Sequence, residues 1–587
     1  MFKIFKRLTA KQVATMITAI ILIIASVWIE LQVPGYMSEI TQRLQNPGVA
    51  VSDLYHPGSK MVGLSIIGLV LSLIVVFLSA RVAASFASGL RRDVFDSVMD
   101  YSTKELQDFS IPSLLTRTTN DIVQIQVFLA MGLQIIVRGP MMAILAVGKI
   151  STKNVEWMWV TFTAVGLMLT TIIILLSIVL PRQKLVQSLT DRLNRIMRET
   201  LSGMRVIRAY NAEDYQTEKF SDANQELTGL NLVIYRTMSF MNPLMMLVSN
   251  GLTLGVYWVG AYLIAAAAFQ EKIVLFSDMI VFSSYAMQVV IGFMMMTMIF
   301  IITPRTMVSA KRVGEVLDTK SSLIYPENAP QEKDKGSLVF QDVSFTYPGA
   351  SKPVLKDISF EAKAGQTLAF IGSTGSGKST LINLIPRLFD TTEGEILING
   401  NSIKDYPRER LNEIIGYVPQ RSVLFSGSIE SNIAFGDSSQ SPLSEAEIWE
   451  AIDIAQAKDF VTEKEEQLQS YVAQDGTNFS GGQKQRLAIA RAIGRKPQIL
   501  IFDDSFSALD YQTDRKLRHI LAEKTKEMTK VIVGQRISTI MDADLIMVIE
   551  KGRIVGKGTH QELLTSNKIY QEIAYSQLNK EELDNGK

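Results

Sequence analysis

The sequence predicts a chain of two unlike parts: an α-helical membrane region of six spans with long helical extensions, then a soluble α/β region. Three observations carry that prediction. Long charge-free apolar runs recur up to about Pro304 and then cease. From about Ser337 apolar and polar residues mix as in a soluble α/β protein. Within that part, Gly372-Ser373-Thr374-Gly375-Ser376-Gly377-Lys378-Ser379 has the G-x-x-x-x-G-K-[ST] spacing of a phosphate-binding loop. At 587 residues the chain is too long for one domain. Its 47% apolar content averages over both parts.

Several function classes are excluded early. A net charge of +1 gives no footprint for nucleic acid. With no cysteine there is no disulfide, no Cys-ligated zinc and no thiol catalysis, and three histidines leave little for a metal site. No small-residue cleavage site follows the first apolar run, and further spans come after it, so that run reads as a span rather than a cleaved leader.

The spans follow in order. The N-terminal Met1 to Thr9 mixes basic and apolar residues; it either lies along the membrane face or simply orients the first span. Val13 to Ile29 is charge-free between Lys11 and Glu30, and Met61 to Ala80 is charge-free up to Arg81. The third span, about Ile122 to Gly148, is interrupted by Arg138-Gly139-Pro140. The fourth, Trp157 to Leu180, ends at Pro181; the fifth lies within Thr237 to Gln270 and the sixth runs Met279 to Pro304. All but the first, which borrows its flanks, approach or exceed the ~20 residues that cross a hydrocarbon core. Lys and Arg concentrate at the N-terminus and in the second and fourth connections, while Arg43, Lys60, Lys149, Lys153 and Lys272 are sparse in the others. That bias places the N-terminus and the phosphate-loop domain in the cytoplasm, in a multi-pass protein of the cytoplasmic membrane.

The two cytoplasmic connections keep helical spacing, for instance Leu193, Ile196, Met197, Leu201, Met204 and Ile207. The spans are therefore expected to continue as helices, with tips near Asp108 to Leu115 and Tyr210 to Glu213 meeting the soluble domain. Within the spans, Arg138 needs a cavity or a partner. Gln134, Asn242, Asn250 and Gln288 are expected to bond between helices. The run Met294-Met295-Met296 with Met298 is soft surface, suited to packing and also to varied apolar ligands.

Leu317 to Lys335 is polar and proline-containing and reads as a linker. The expected domains are 1–318 in the membrane, 319–336 as linker and 337–587 as the α/β domain. Ser337 to Phe345 alternates, as an edge strand would. Thr367 to Ile371 reads as the buried strand before the glycine loop, and a helix is expected from Thr380. The glycines let backbone N–H groups approach an anion. Lys378 is expected to reach the β- and γ-phosphates, and Ser379 to bind Mg²⁺. Tyr347, ahead of the loop, is either an adenine-stacking ring or an ordinary core tyrosine. Ile499 to Asp503 is an apolar strand ending in an acid, the place of a second Mg²⁺ ligand in P-loop enzymes. Ser480-Gly481-Gly482-Gln483 opens a helix and forms a second phosphate-binding turn. One domain cannot bring both glycine turns to one phosphate; two domains facing head to tail can.

Over nearly its whole length the chain resembles ABC exporter half-transporters, six spans fused to one P-loop ATP-binding domain. Tyr347 matches the A-loop, Gly372 to Ser379 with Thr380 the Walker A motif, and Gln420 in Tyr417-Val418-Pro419-Gln420 the Q-loop. Phe479 to Gln483 matches the signature, Asp503 closes Walker B, and Asp510 ends the D-loop Ser507-Ala508-Leu509-Asp510. The resemblance implies ATP and Mg²⁺ as cofactors, with Ser379, Gln420 and Asp503 at the metal.

Two positions depart from the pattern. The glutamate that normally polarises water is Asp504, and the switch histidine is Gln535. Aspartate is one methylene shorter, ~1.5 Å at fixed backbone, and glutamine cannot become cationic. Both changes fall on hydrolysis rather than on ATP binding. The x-loop run Gln474-Asp475-Gly476 also departs from the usual acidic pattern. The resemblance therefore implies the degenerate-site half of a heterodimeric multidrug exporter of the Gram-positive type, exporting amphipathic small molecules. Its partner would be a second half-transporter with the catalytic Glu and switch His. The alternatives are a lipid or peptide exporter, or a homodimer in which Asp504 still serves as base.

Overall fold

The computed structural model describes residues 2–45, 50–151, 155–436 and 442–577. Met1, Lys153 and the residues after Gln577 lie outside them. The chain forms two compact units: residues up to Met99 with Ile111–Thr319, and Asp100–Ser110 with Lys320 onward.

In the first unit, apolar periodicity produces long helical segments. Among the described residues, six are long and apolar enough to cross a membrane: Ala10–Leu44, Val51–Asp100, Ile111–Ile150, Val155–Ser202, Glu213–Ala266 and Glu271–Asp318. The 48 residues of Val155–Ser202 reach roughly 72 Å at the helical rise, well beyond a hydrocarbon core of ~30 Å. The helix passes through Pro181 without ending.

The third span is not interrupted. Ile122–Ile150 is one helix with Pro140 inside it, as neighbouring helices in a membrane permit. Arg138 has its partner: its Nη2 donates to Glu30 Oε2 of the first span at 2.8 Å. Gln288 differs from expectation, because its Oε1 is buried with no hydrogen-bond partner among the described residues. Beside Arg138, Gly139 meets Gly292 of the sixth span. A Cβ on Gly292 would lie 2.8 Å from the Gly139 carbonyl oxygen, and one on Gly139 would lie 3.1 Å from that of Gly292. The glycines thus set the separation of the Arg138 helix from the methionine-rich one. Gly292→Leu is expected to destabilise the bundle by ~1–3 kcal/mol through overpacking. The check is thermal unfolding of the detergent-solubilised chain; an unchanged midpoint would refute the close approach.

The N-terminus makes contacts of its own. It docks on its own bundle: Ile4 is buried, and the Phe5 ring stacks on Phe86 and Phe128 with centroids 6.0 and 6.2 Å away. Lys3 pairs with Asp318 at 3.2 Å and Arg7 with Asp93 at 3.4 Å.

The second unit is built on two main sheets. The six-stranded sheet runs Arg553–Gly558, Leu545–Glu550, Thr367–Ile371, Thr529–Val533, Ile499–Asp503, Ile415–Val418. Its neighbours are parallel except for the Arg553–Gly558 edge. Thr367–Ile371 and Ile499–Asp503 are buried on both faces, as their unbroken apolar runs require. The four-stranded sheet runs Leu355–Ala362, Leu338–Phe345, Glu393–Ile398, Asn401–Ser402. Leu338–Phe345 is therefore an interior strand, not the edge its alternation predicted. Alternation reports one buried face and says nothing about how many neighbours the backbone pairs with. Two apolar cores result, one between the sheets and one under the helices that carry the signature. Asp100–Ser110 belongs to this unit through Ser102, whose hydroxyl lies 3.2 Å from that of Ser322.

Candidate nucleotide site

The phosphate loop leaves the end of the Thr367–Ile371 strand and enters helix Lys378–Leu384. Two of its glycines, Gly372 and Gly377, are sterically required. A Cβ at Gly372 would collide with the Ile549 carbonyl oxygen, and Gly377 has φ +106° with Leu355 packed against it. Ser373, Thr374, Gly375 and Ser379 are exposed, whereas Ser376 is buried. Lys378 Nζ donates to the carbonyl oxygens of Gly372 (2.9 Å) and Ser373 (2.8 Å) and to Ser376 Oγ (3.3 Å). The ammonium is thus held inside the curve of the loop. Burial pushes its pKa down, against the pull of Asp504 and Asp503.

Tyr347 stands beside this loop. Its hydroxyl lies 3.0 Å from Thr380 Oγ1, and its half-buried ring is set edge-on to Phe345 and Phe389.

Opposite Lys378, the Ile499–Asp503 strand ends in two carboxylates. Ser379 Oγ donates to Asp503 Oδ1 at 3.4 Å. Burial pushes the Asp503 carboxyl up, with the Ser379 bond opposing it. A hydroxyl and a carboxylate converging here are hard oxygen donors. They fit Mg²⁺, which takes one or two protein ligands and completes its shell with phosphate and water. Asp504 has φ +49°, a left-handed conformation that aspartate tolerates better than most residues. Its Oδ2 accepts from Gln535 Nε2 at 2.7 Å and from Gln420 Nε2 at 3.4 Å. Burial pushes this carboxyl up too, with Gln420 opposing. The two positions that depart from the family pattern are therefore bonded to each other. Gln420 points its amide at Asp504, and no hydrogen bond joins it to the Ser379–Asp503 pair among the described residues.

The signature turn lies elsewhere on the unit. Ser480 caps helix Gly481–Gly494: its Oγ accepts from Gln483 N, and Gln483 Oε1 accepts from Ser480 N at 3.0 Å. Gly482 lies close under the Ala508 carbonyl. Asp510 caps the next helix by accepting from Thr513 N at 3.0 Å, a bond that lowers its pKa. No hydrogen bond links Ser480–Gln483 to Gly372–Ser379 among the described residues.

Three residues at the site escape sequence reasoning. Tyr417, quoted only as part of the Q-loop run, donates its hydroxyl to Asn383 Oδ1 at 3.1 Å, and its hydroxyl beside Asp503 opposes the rise that burial gives that carboxyl. Val533 anchors Asp504 by accepting from its N–H at 3.1 Å. Gln577, which no motif marks, holds the backbone at Gln535.

Fold and site together define a P-loop ATPase fused to a six-helix membrane region. The ABC transporter profile matches residues 355–507, and the profile of the ABC transporter transmembrane region matches residues 16–304. The chain belongs to the ABC transporter family: it is a multi-pass membrane protein and an ATPase coupled to export. It is 38% identical over 547 residues to an uncharacterized ABC transporter ATP-binding protein of Mycobacterium tuberculosis, spanning 92% of this chain and 93% of that one. The uncharacterized ABC transporter ATP-binding protein YfiB of Bacillus subtilis is 34% identical over 96% of both chains. An ATP-dependent lipid A-core flippase of Pseudomonas fluorescens is 31% identical over 84% of this chain and 80% of its own. The fold also matches a bacterial Atm1-family ABC exporter solved with ATP bound, with TM-score 0.79 at 23% identity over 97% of this chain and 99% of that one.

Proposed function

We propose that this chain is the degenerate-site half of a heterodimeric exporter, and that its own Walker site holds ATP but hydrolyses it slowly. The observation that carries the reading is the Asp504–Gln535 pair. A general base must reach the attacking water, and here a short carboxylate is turned into a bond with a neutral amide. In this reading the ring of Tyr347 stacks on adenine, and Lys378 leaves the loop carbonyls for the β- and γ-phosphates. Ser379 and Asp503 hold Mg²⁺, whose charge would offset that of the phosphates. The amide of Gln535 has two N–H donors, one for Asp504 and one for a γ-phosphate. The signature Ser480 to Gln483 serves the partner's nucleotide, because within its own chain it is not bonded to the phosphate loop.

The test compares ATP turnover of the full-length chain purified alone, with a second half-transporter, and with that partner's catalytic glutamate changed. The reading expects a nearly inactive chain, an active pair and an inactive mutated pair. Brisk hydrolysis by this chain alone would make Asp504 a working base and the dimer symmetric.

For cargo, the reading is amphipathic small molecules, supported by the exposed Met294 and Met298 of the sixth span. The flippase relatives favour a second reading, a lipid as cargo. Liposome assays that follow a cationic dye and a fluorescent lipid side by side separate the two.

A further inference from the structure

The helix Lys568–Gln577 is seated on the ATPase core by Tyr570 and Ala574, both fully buried. The Tyr570 hydroxyl lies 2.6 Å from His560 Nδ1. Its last residue reaches the switch segment with both ends of its amide. Gln577 Nε2 donates to the Gln535 carbonyl oxygen at 2.8 Å, and Gln577 Oε1 accepts from Ile537 N at 2.8 Å. One side chain therefore grips the backbone on both sides of Arg536. From Gln535 the path continues through its own amide to Asp504 Oδ2 at 2.7 Å.

We propose that Gln577 is a positioning residue for hydrolysis, fixing the angle at which the Gln535 amide meets Asp504. The inference rests on the reading that Asp504 and Gln535 act on the nucleotide. A primary amide suits this grip because it offers a donor and an acceptor side by side. Glutamate would keep the bond from Ile537 N and set a carboxylate oxygen against the Gln535 carbonyl. Methionine would keep the length of the side chain and lose both bonds. Freed from the clamp, the Gln535 backbone can rotate, and its side chain then meets Asp504 over a range of angles.

The experiment is single-turnover hydrolysis of prebound ATP by the chain in lipid nanodiscs, with protein in excess over ATP and the reaction followed long enough to resolve the slow rate of this site, and with ATP affinity and melting temperature measured alongside. Gln577→Ala and Gln577→Met are both expected to slow hydrolysis ~10-fold, within the range of directly coupled contacts, with ATP affinity unchanged. In a Gln535→Ala background, Gln577→Met is expected to add no further loss. An equal loss in that background overturns the proposal, because the effect then bypasses Gln535. So does an unchanged rate for Gln577→Met when Gln535→Ala alone slows hydrolysis; the reading of Gln535 then survives. If Gln535→Ala alone changes nothing, that reading falls and the proposal falls with it. The Met variant keeps the test open should Gln577→Ala fail to fold.

Discussion

The full-length chain carrying Asp504→Glu together with Gln535→His is expected to hydrolyse ATP ~10²–10⁴-fold faster than the natural chain when each is purified alone. The geometry explains why both changes are needed. Glutamate supplies the missing ~1.5 Å of reach. Yet the Gln535 amide sits 2.7 Å from the present carboxylate, so a longer acid meets it end on. Position 504 also has φ +49°, where a left-handed backbone costs an L-residue roughly 1–2 kcal/mol. Asp504→Glu alone is therefore expected to gain less than the pair. The measurement is steady-state ATP turnover of the single and double variants, with Asp504→Asn as control. If Asp504→Asn abolishes a substantial natural rate and the double variant gains nothing, Asp504 is already the base and the degenerate-site reading is lost.

Lys378→Ala is expected to weaken ATP binding at this chain's own site by ~10–100-fold, the scale of one lost charged hydrogen bond in a desolvated setting. Nothing else in the loop can replace it: the cation lies inside the curve with three loop oxygens around it. Asp503 and Asp504, which attract the ammonium, would face the phosphates without it once it is gone. Lys378→Arg is expected to fail as well, because the guanidinium fork is wider than an ammonium and its donors are fixed in a plane. Isothermal titration of ATP, paired with the rise in melting temperature that ATP produces, reads the loss directly. An undiminished ATP-induced rise in the Lys378→Ala protein would remove Lys378 from the nucleotide site.

The parts of this protein legible in its sequence are those that local chemistry imposes. Six apolar runs predict spanning helices because a helix satisfies all its backbone groups within the one segment, as lipid requires. The Thr367–Ile371 and Ile499–Asp503 strands were readable to the residue. A doubly buried parallel strand is apolar throughout, and the glycine loop and the acid pair mark their ends. The departures at Asp504 and Gln535 were visible as residue types.

What only the tertiary structure decided is who meets whom. The Arg138–Glu30 pair joins residues 108 apart in the chain. The bond between Asp504 and Gln535 exists because parallel strands Ile499–Asp503 and Thr529–Val533 end side by side. Residues Asp100–Ser110 group with the ATPase unit although they lie between two spans. The interior place of Leu338–Phe345 was also hidden, because alternation encodes the buried face and not the pairing of backbone edges. Gln577 shows the same limit most plainly: a lone glutamine at a helix end carries no pattern, and its grip on the switch exists only through the packing of that helix. Periodicity and motifs record what each segment must satisfy locally. Contacts between distant segments depend on how those segments pack, and no spacing in the chain encodes them.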